Sequence, residues 1–171
     1  MNVTEMKESD LDIVVELEKQ CFKQPWNKEQ CLYELQENPF STGYLLKEDD
    51  HIVGYAFLWI TFEIAQLARI GIDPACRNKG YGTYLMDALC KQAREAQSEF
   101  LSLEVRESNQ AALKLYEKLG FVTIGTVAEG FQKKDGTYSC QCIEELLSGW
   151  RKCRSDVYGV IERSFYDHFR N

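Results

Sequence analysis

The sequence predicts an α/β (α+β) domain built around a mixed β-sheet. Through the middle of the chain, short runs rich in β-branched and aromatic residues alternate with longer amphipathic runs. Strand-like and helix-like segments also flank one another at both ends. At 171 residues, with no internal repeat, low-complexity tract or Pro/Ser-rich linker, the chain is most simply one domain with room for a core of its own.

Residues 2–7 read as a short strand. Ser9 or Asp10 then caps a helix whose apolar positions Leu11, Val14, Val15, Leu17 and Phe22 repeat near helical spacing. In "PWNKEQCLYELQEN", Asn27 with Gln30 three residues on has the form of a capping box, which predicts a second helix behind Pro25 and Trp26. "TGYLLKEDDHIVGYAFLWITFE" predicts two strands joined by the acidic turn "KEDDH". "LARIGID" is another strand, ended by Asp73-Pro74. A long amphipathic helix follows from about Gly80 to Ala96, with Leu85, Met86, Leu89 and Ala93 on one face. Then come the strand "FLSLEV", a turn at "RESN", a helix over roughly 110–118 and "GFVTIGTV". A turn at "KKDG" leads into the strand "TYSCQCIEEL".

Composition narrows the function. Hydrophobic residues make up 44% and charged ones 27%, the balance of a folded protein rather than a disordered one. The net charge of −7 argues against general nucleic-acid binding and suits a cationic substrate such as an amine. No apolar run approaches the ~20 residues that cross a membrane, and "MNVTEMKESD" is polar, so the chain reads as cytoplasmic. Seven cysteines, no Cys-x-x-Cys pair and only His51 and His168 as histidines point to reduced structural thiols and no metal site.

"RNKGYG", residues 77–82, is the loop with the most chemistry. It is not a P-loop, because Lys79 precedes the glycine. It is not a dinucleotide fingerprint either, since Leu85 stands at the third glycine place. Its strand–turn–helix setting still leaves peptide N–H groups free at a helix N-terminus, where they and the helix dipole attract an anion. Arg77 and Lys79 could add charge beside it, or could be solvated residues of an ordinary helix start.

The paired segments decide between these. "IGIDP" with Arg77-x-x-Gly80-x-Gly82, followed some twenty residues after the helix by "LEVRESNQAALKLYEKLGF", resembles the acyl-CoA-binding core of the GNAT N-acetyltransferase superfamily. Within it, "LEVRESN…LYEKLGF" and Pro25-Trp26 are most similar to the bacterial ribosomal-protein alanine N-acetyltransferases (RimI-like). The resemblance covers about residues 3–145. It implies the GNAT fold, a twisted and mostly antiparallel mixed sheet flanked by helices, and acetyl-CoA as acetyl donor. It also implies that the backbone amides of residues 77–82 (Arg77, Asn78, Lys79, Gly80, Tyr81 and Gly82) hold the pyrophosphate. The pantetheine arm would lie along the strand Leu67–Ile72, making main-chain bonds at Ile70, Gly71 and Ile72. Asn109 would hold the same arm, although Ser108 and Asn109 are also good N-cap residues.

Two side chains have catalytic promise. An amine attacks a thioester only when neutral, yet a protein N-terminus titrates near ~8 and a lysine near ~10.4, so a proton acceptor is needed. Glu104, in the apolar strand "LSLEV", matches the general base of the resembled group; otherwise it is the polar face of a strand. Tyr116, among Leu113, Leu115 and Leu119, packs in the core or, by resemblance, presents its hydroxyl to the CoA sulfur as general acid.

The resemblance breaks after "LGF". Gly130-Phe131 stand where the group carries a tyrosine pair, and "SCQC" replaces its acidic strand, although the Asp135-Gly136 turn is kept. The acceptor is therefore left open among a protein N-terminus, a lysine side chain and a small amine such as a polyamine, an amino acid or an aminoglycoside. The expected domain spans 1–147. A C-terminal extension over 148–171 places Val157, Val160, Ile161, Phe165 and Phe169 on one helical face, either packed on the same domain, in a homodimer contact or as a lid. The reading is direct acetyl transfer to a primary amine, with no nucleic-acid or membrane partner. A covalent route through Cys76 or the Cys140/Cys142 pair, and a catalytically silent acyl-CoA-binding regulatory module, are the alternatives.

Overall fold

The structure, a computed structural model, describes residues 1–106, 108–125 and 141–144. Its strands are β1 (Asn2–Glu5), β2 (Ser41–Glu48), β3 (His51–Thr61), β4 (Ile64–Ile72), β5 (Phe100–Glu104), β6 (Val122–Gly125) and β7 (Gln141–Glu144). They form one sheet in the order β1-β2-β3-β4-β5-β7-β6. The β4–β5 pair is parallel and the other pairs are antiparallel, so the sheet is mixed and mostly antiparallel, as the sequence predicts. The acidic hairpin closes through Asp49 and Asp50, both at positive φ, a backbone that Asp tolerates well. β4 begins at Ile64, ahead of the Leu67 start read from "LARIGID".

Helices cover both faces. α1 (Leu11–Cys21) and α2 (Lys28–Gln36) lie on one side, where Leu11, Val14, Leu17 and Cys31 pack with Leu45, Tyr55 and Phe57. The capping box of α2 is reciprocal: Asn27 Oδ1 accepts from the Gln30 amide at 2.8 Å, and Gln30 Oε1 from the Asn27 amide at 3.0 Å. At α1, Asp10 stands at the cap position but spends its carboxylate on the Lys7 amide, 2.8 Å away. α3 (Tyr81–Glu95) and α4 (Gln110–Lys118) cover the opposite face. There Leu85, Met86 and Leu89 are fully buried against Leu58, Leu67, Leu101 and Leu103, each worth roughly 1.5–3 kcal/mol.

One irregularity organises the site. Leu58 pairs with Leu67, but Phe57 pairs with Arg69, so Ala68 is an extra residue, a β-bulge in β4. Leu67 faces the α3/α4 cluster, whereas Ala68 packs on the α1/α2 cluster and Arg69 reaches into α1. Because side chains alternate with a period of two, the bulge resets which face each later residue of β4 takes. The expected C-terminal helix, Gly130, Phe131 and the Asp135-Gly136 turn lie outside the described residues, as do Cys140, Cys153 and His168.

Candidate active site

The sheet opens between its parallel strands. The β4–β5 register runs from Ile64↔Phe100 to Leu67↔Leu103. Beyond that, β4 continues to Ile72 while β5 stops at Glu104. Ile70, Gly71 and Ile72 pair with Ala56, Tyr55 and Gly54 on one edge only. Among the described residues, no strand lies against the other edge, so an extended ligand could add there through main-chain bonds. Gly71 has a local cause as well. A Cβ placed on it would stand 2.5 Å from Tyr55 Cε1.

The loop after β4 turns this edge toward a helix N-terminus. Asp73 Oδ1 accepts from the Ala75 amide at 2.8 Å, and Pro74 opens a short 3₁₀ turn. Asn78 and Gly80 then take positive φ, +62° and +87°, and Gly80 becomes the N-cap of α3. No side chain caps this helix and no acidic residue stands in its first turn, so its leading amides keep their attraction for an anion. Lys79 is exposed beside them. Arg77 is exposed too, and its Nε donates to the Ile72 carbonyl at 3.2 Å, which lays the guanidinium against the end of β4.

Two residues of this loop point away from it. The Tyr81 ring is in the α3/α4 core and its hydroxyl donates to the Glu48 carboxylate, which pushes the phenol up to about 12. Tyr81 can therefore offer only its backbone to a ligand. At Gly82 an added Cβ would lie 3.1 Å from Leu115 Cδ2, so this glycine lets α4 approach α3.

The remaining predicted residues lie on α4 and at the end of β5. Asn109 is the N-cap of α4, with Oδ1 accepting from the Ala112 amide at 3.2 Å, and its side chain is exposed. Tyr116 is buried in the α3/α4 cluster with Leu67, Leu103 and Val105, its ring 5.7 Å from that of Phe121. Glu104 is exposed and alternates with the buried Leu103, so it takes the α1/α2 face. It lies one step past the last paired residues, next to Ala68. The two predicted catalytic side chains thus take opposite faces of the sheet. Cys76 is half-buried and free, and Cys142 belongs to β7.

A group that the sequence reading passed over sits beside them. Glu18 is completely buried on α1, yet both its oxygens are satisfied. Arg69 donates from Nε to Oε1 at 2.9 Å and from Nη2 to Oε2 at 2.6 Å. The Trp26 amide donates to Oε2 at 2.8 Å, and the Tyr55 hydroxyl donates to Oε1. Burial, reinforced by the Glu18 charge, holds the Tyr55 phenol well above its ordinary range. Arg69 also donates to the Gln24 carbonyl at 3.0 Å and stacks 3.6 Å from the Phe22 ring centre. The signal available in sequence was Arg69 itself, a lone cation inside an apolar strand, which needs a buried partner.

Comparison with known proteins agrees with this geometry. Residues 11–121 match the acetyltransferase (GNAT) family. A Bacillus subtilis protein, provisionally named a ribosomal protein bS18-alanine N-acetyltransferase, is 37% identical over 118 residues, covering 69% of this chain and 78% of its own. The Haemophilus ducreyi ribosomal protein bS18-alanine N-acetyltransferase is 31% identical over 130 residues, 76% of this chain and 88% of its own. The crystal structure of the Escherichia coli ribosomal-protein-S18-alanine N-acetyltransferase superposes with a TM-score of 0.72 at 25% identity, covering 83% of this chain and 90% of that one.

Proposed function

The chain belongs to the acetyltransferase (GNAT) family and is an acetyl-CoA-dependent N-acetyltransferase, and from that premise we propose that it acetylates the N-terminal alanine of ribosomal protein bS18 in the cytoplasm. The relatives named for that reaction support the acceptor. The observation that supports the mechanism is that Glu104 stands at the end of the β4–β5 pairing on one face of the sheet while Tyr116 packs on the other.

The residues present fit acetyl-CoA. The bare edge of Ile70–Ile72 and the exposed Asn109 would hold its pantetheine arm, and the α3 N-terminus with Arg77 and Lys79 its pyrophosphate. When bound, it supplies a thioester carbonyl to the opening. On the α1/α2 face, Glu104 takes a proton from the incoming ammonium, directly or through water, because an N-terminal amine near pKa ~8 is mostly protonated at neutral pH. The amine nitrogen would then form the new N–C bond as the C–S bond breaks, and its remaining surplus proton would pass through water to restore Tyr116 once that residue has protonated the leaving group. From the opposite face, the Tyr116 hydroxyl gives its proton to the departing thiolate. No enzyme cysteine is needed in this sequence of events.

Steady-state acetylation of a hexapeptide copied from the bS18 N-terminus tests the proposal, with a lysine peptide and spermidine as competitors for the assignment. The alanine peptide should give the highest kcat/KM. Glu104→Gln and Tyr116→Phe should each lower kcat by about 10²–10⁴-fold while acetyl-CoA still binds. Unchanged kcat in both variants removes these roles, and a preference for lysine or spermidine removes the acceptor.

A further inference from the structure

We propose that the buried Glu18–Arg69 pair is a positioning device for the acceptor, fixing residues 22–26 as one wall of the opening through which the amine arrives. This rests on the reading above, in which Glu104 marks the acceptor side. That side is the α1/α2 face. Along it, Glu104 is next to Ala68, and Arg69 follows Ala68 on the same face because of the bulge. Arg69 in turn touches the segment linking α1 to α2, from which Phe22 and Trp26 place their rings 3.6 and 5.1 Å from its guanidinium carbon.

That segment has no regular secondary structure of its own. Several of its anchors are contacts with this pair. The Trp26 amide and the Gln24 carbonyl are both taken up by the two charged side chains, and the Trp26 ring packs 5.5 Å from that of Phe57. Four parts of the chain meet at one carboxylate: α1 through Glu18, the segment through Trp26, β3 through Tyr55 and β4 through Arg69. A buried ion pair is weak evidence for stability, because well-packed apolar residues can replace it with no loss. Its planar, two-pronged geometry does what apolar residues cannot, by holding a loop at one distance and one angle from the strand edge.

The experiment separates position from stability. Arg69→Met alone leaves a buried carboxylate with one partner fewer and can fail to fold. The double variant Glu18→Met/Arg69→Met removes both charges and keeps apolar volume; it leaves the Tyr55 hydroxyl and the Trp26 amide without their partner, so its Tm should fall by several degrees while the protein stays folded at the assay temperature. Its KM for the alanine hexapeptide should nonetheless rise about tenfold or more, with KM for acetyl-CoA within about twofold. Arg69→Lys, which keeps the charge and loses the fork, should raise the peptide KM as well. A folded double variant with an unchanged peptide KM overturns the inference, as does an equal rise in both KM values. Glu104→Gln is measured alongside. If it leaves kcat intact, the acceptor side itself is misassigned. If it lowers kcat while the double variant keeps its peptide KM, only the positioning role fails.

Discussion

Replacing Gly71 with alanine should damage stability before it damages cofactor binding. The added Cβ would lie 2.5, 2.8 and 2.9 Å from Cε1, Cζ and Oη of Tyr55, well inside van der Waals contact. The ring has little freedom to retreat. It is fully buried, its hydroxyl is bonded to Glu18, and its edge meets Phe57 at 6.4 Å and 73°. Overpacking of this kind costs about 1–3 kcal/mol, and loosening a hydrogen bond to a charged group adds about 1 kcal/mol or more. For a chain of this size, a total of about 2–4 kcal/mol lowers Tm by roughly 5–15 °C. Differential scanning calorimetry measures that loss. Placing Gly71→Ala in a Tyr55→Leu background should recover at least about 1 kcal/mol of it, since contacting residues couple. At a temperature where the variant is folded, KM for acetyl-CoA should change less than about threefold. An unaltered Tm with a large rise in that KM would refute the reasoning, and would mean that Gly71 is required by the ligand and not by Tyr55.

Alkali should expose the buried phenols and thiol together. Burial raises Cys31 to about 11, the Glu48 bond raises Tyr81 to about 12, and Tyr55 is higher again. Folded values above unfolded ones (near ~8.5 and ~10) mean that this stabilisation is complete below about pH 8 and lost as pH rises through the folded values. Denaturant midpoints should therefore fall between about pH 9 and 12, and Cys31 should resist a thiol reagent at pH 8 until the protein unfolds. Asn109→Ala should cost about 1 kcal/mol through the lost α4 cap, whereas Asn109→Ser should restore stability. If Asn109 also holds the pantetheine arm, the serine variant will keep a raised KM for acetyl-CoA, as steady-state kinetics can show.

Local signals were the legible ones. The capping box at Asn27 and Gln30, the Asp49-Asp50 hairpin and the apolar face of α3 each follow from residues within a few positions of one another. The strand–turn–helix setting of residues 77–82 was legible because its three parts are contiguous. Glu18 was not. On a helix it follows Leu17 and reads as the polar edge of an amphipathic face, and the partner that justifies its burial is 51 residues away. Nor does "QLARIGI" announce that Ala68 is an extra residue, since a bulge exists only relative to the strand it pairs with. Glycines were legible as glycines but not in their reasons: Gly80 serves a backbone angle, while Gly71 and Gly82 serve neighbouring side chains.

The bulge at Ala68 also limits how this chain can vary in length. Removing that one residue would leave a regular strand, with Leu67 still opposite Leu58 and Arg69 still opposite Phe57 on the Glu18 side, so the bulge is a place where β4 can lose a single residue without turning later side chains over. A single insertion between Arg69 and Gly71 would instead turn the residues after it over and carry Gly71 off the Tyr55 ring it accommodates. Descendants of this sequence can therefore gain or lose single residues at the exposed Phe62–Glu63 turn, but within β4, the bulge at Ala68 apart, only changes of two residues preserve inside and outside. Alignments of such chains should place their odd-length gaps at that turn or at Ala68, and nowhere else in the strand that carries Arg69.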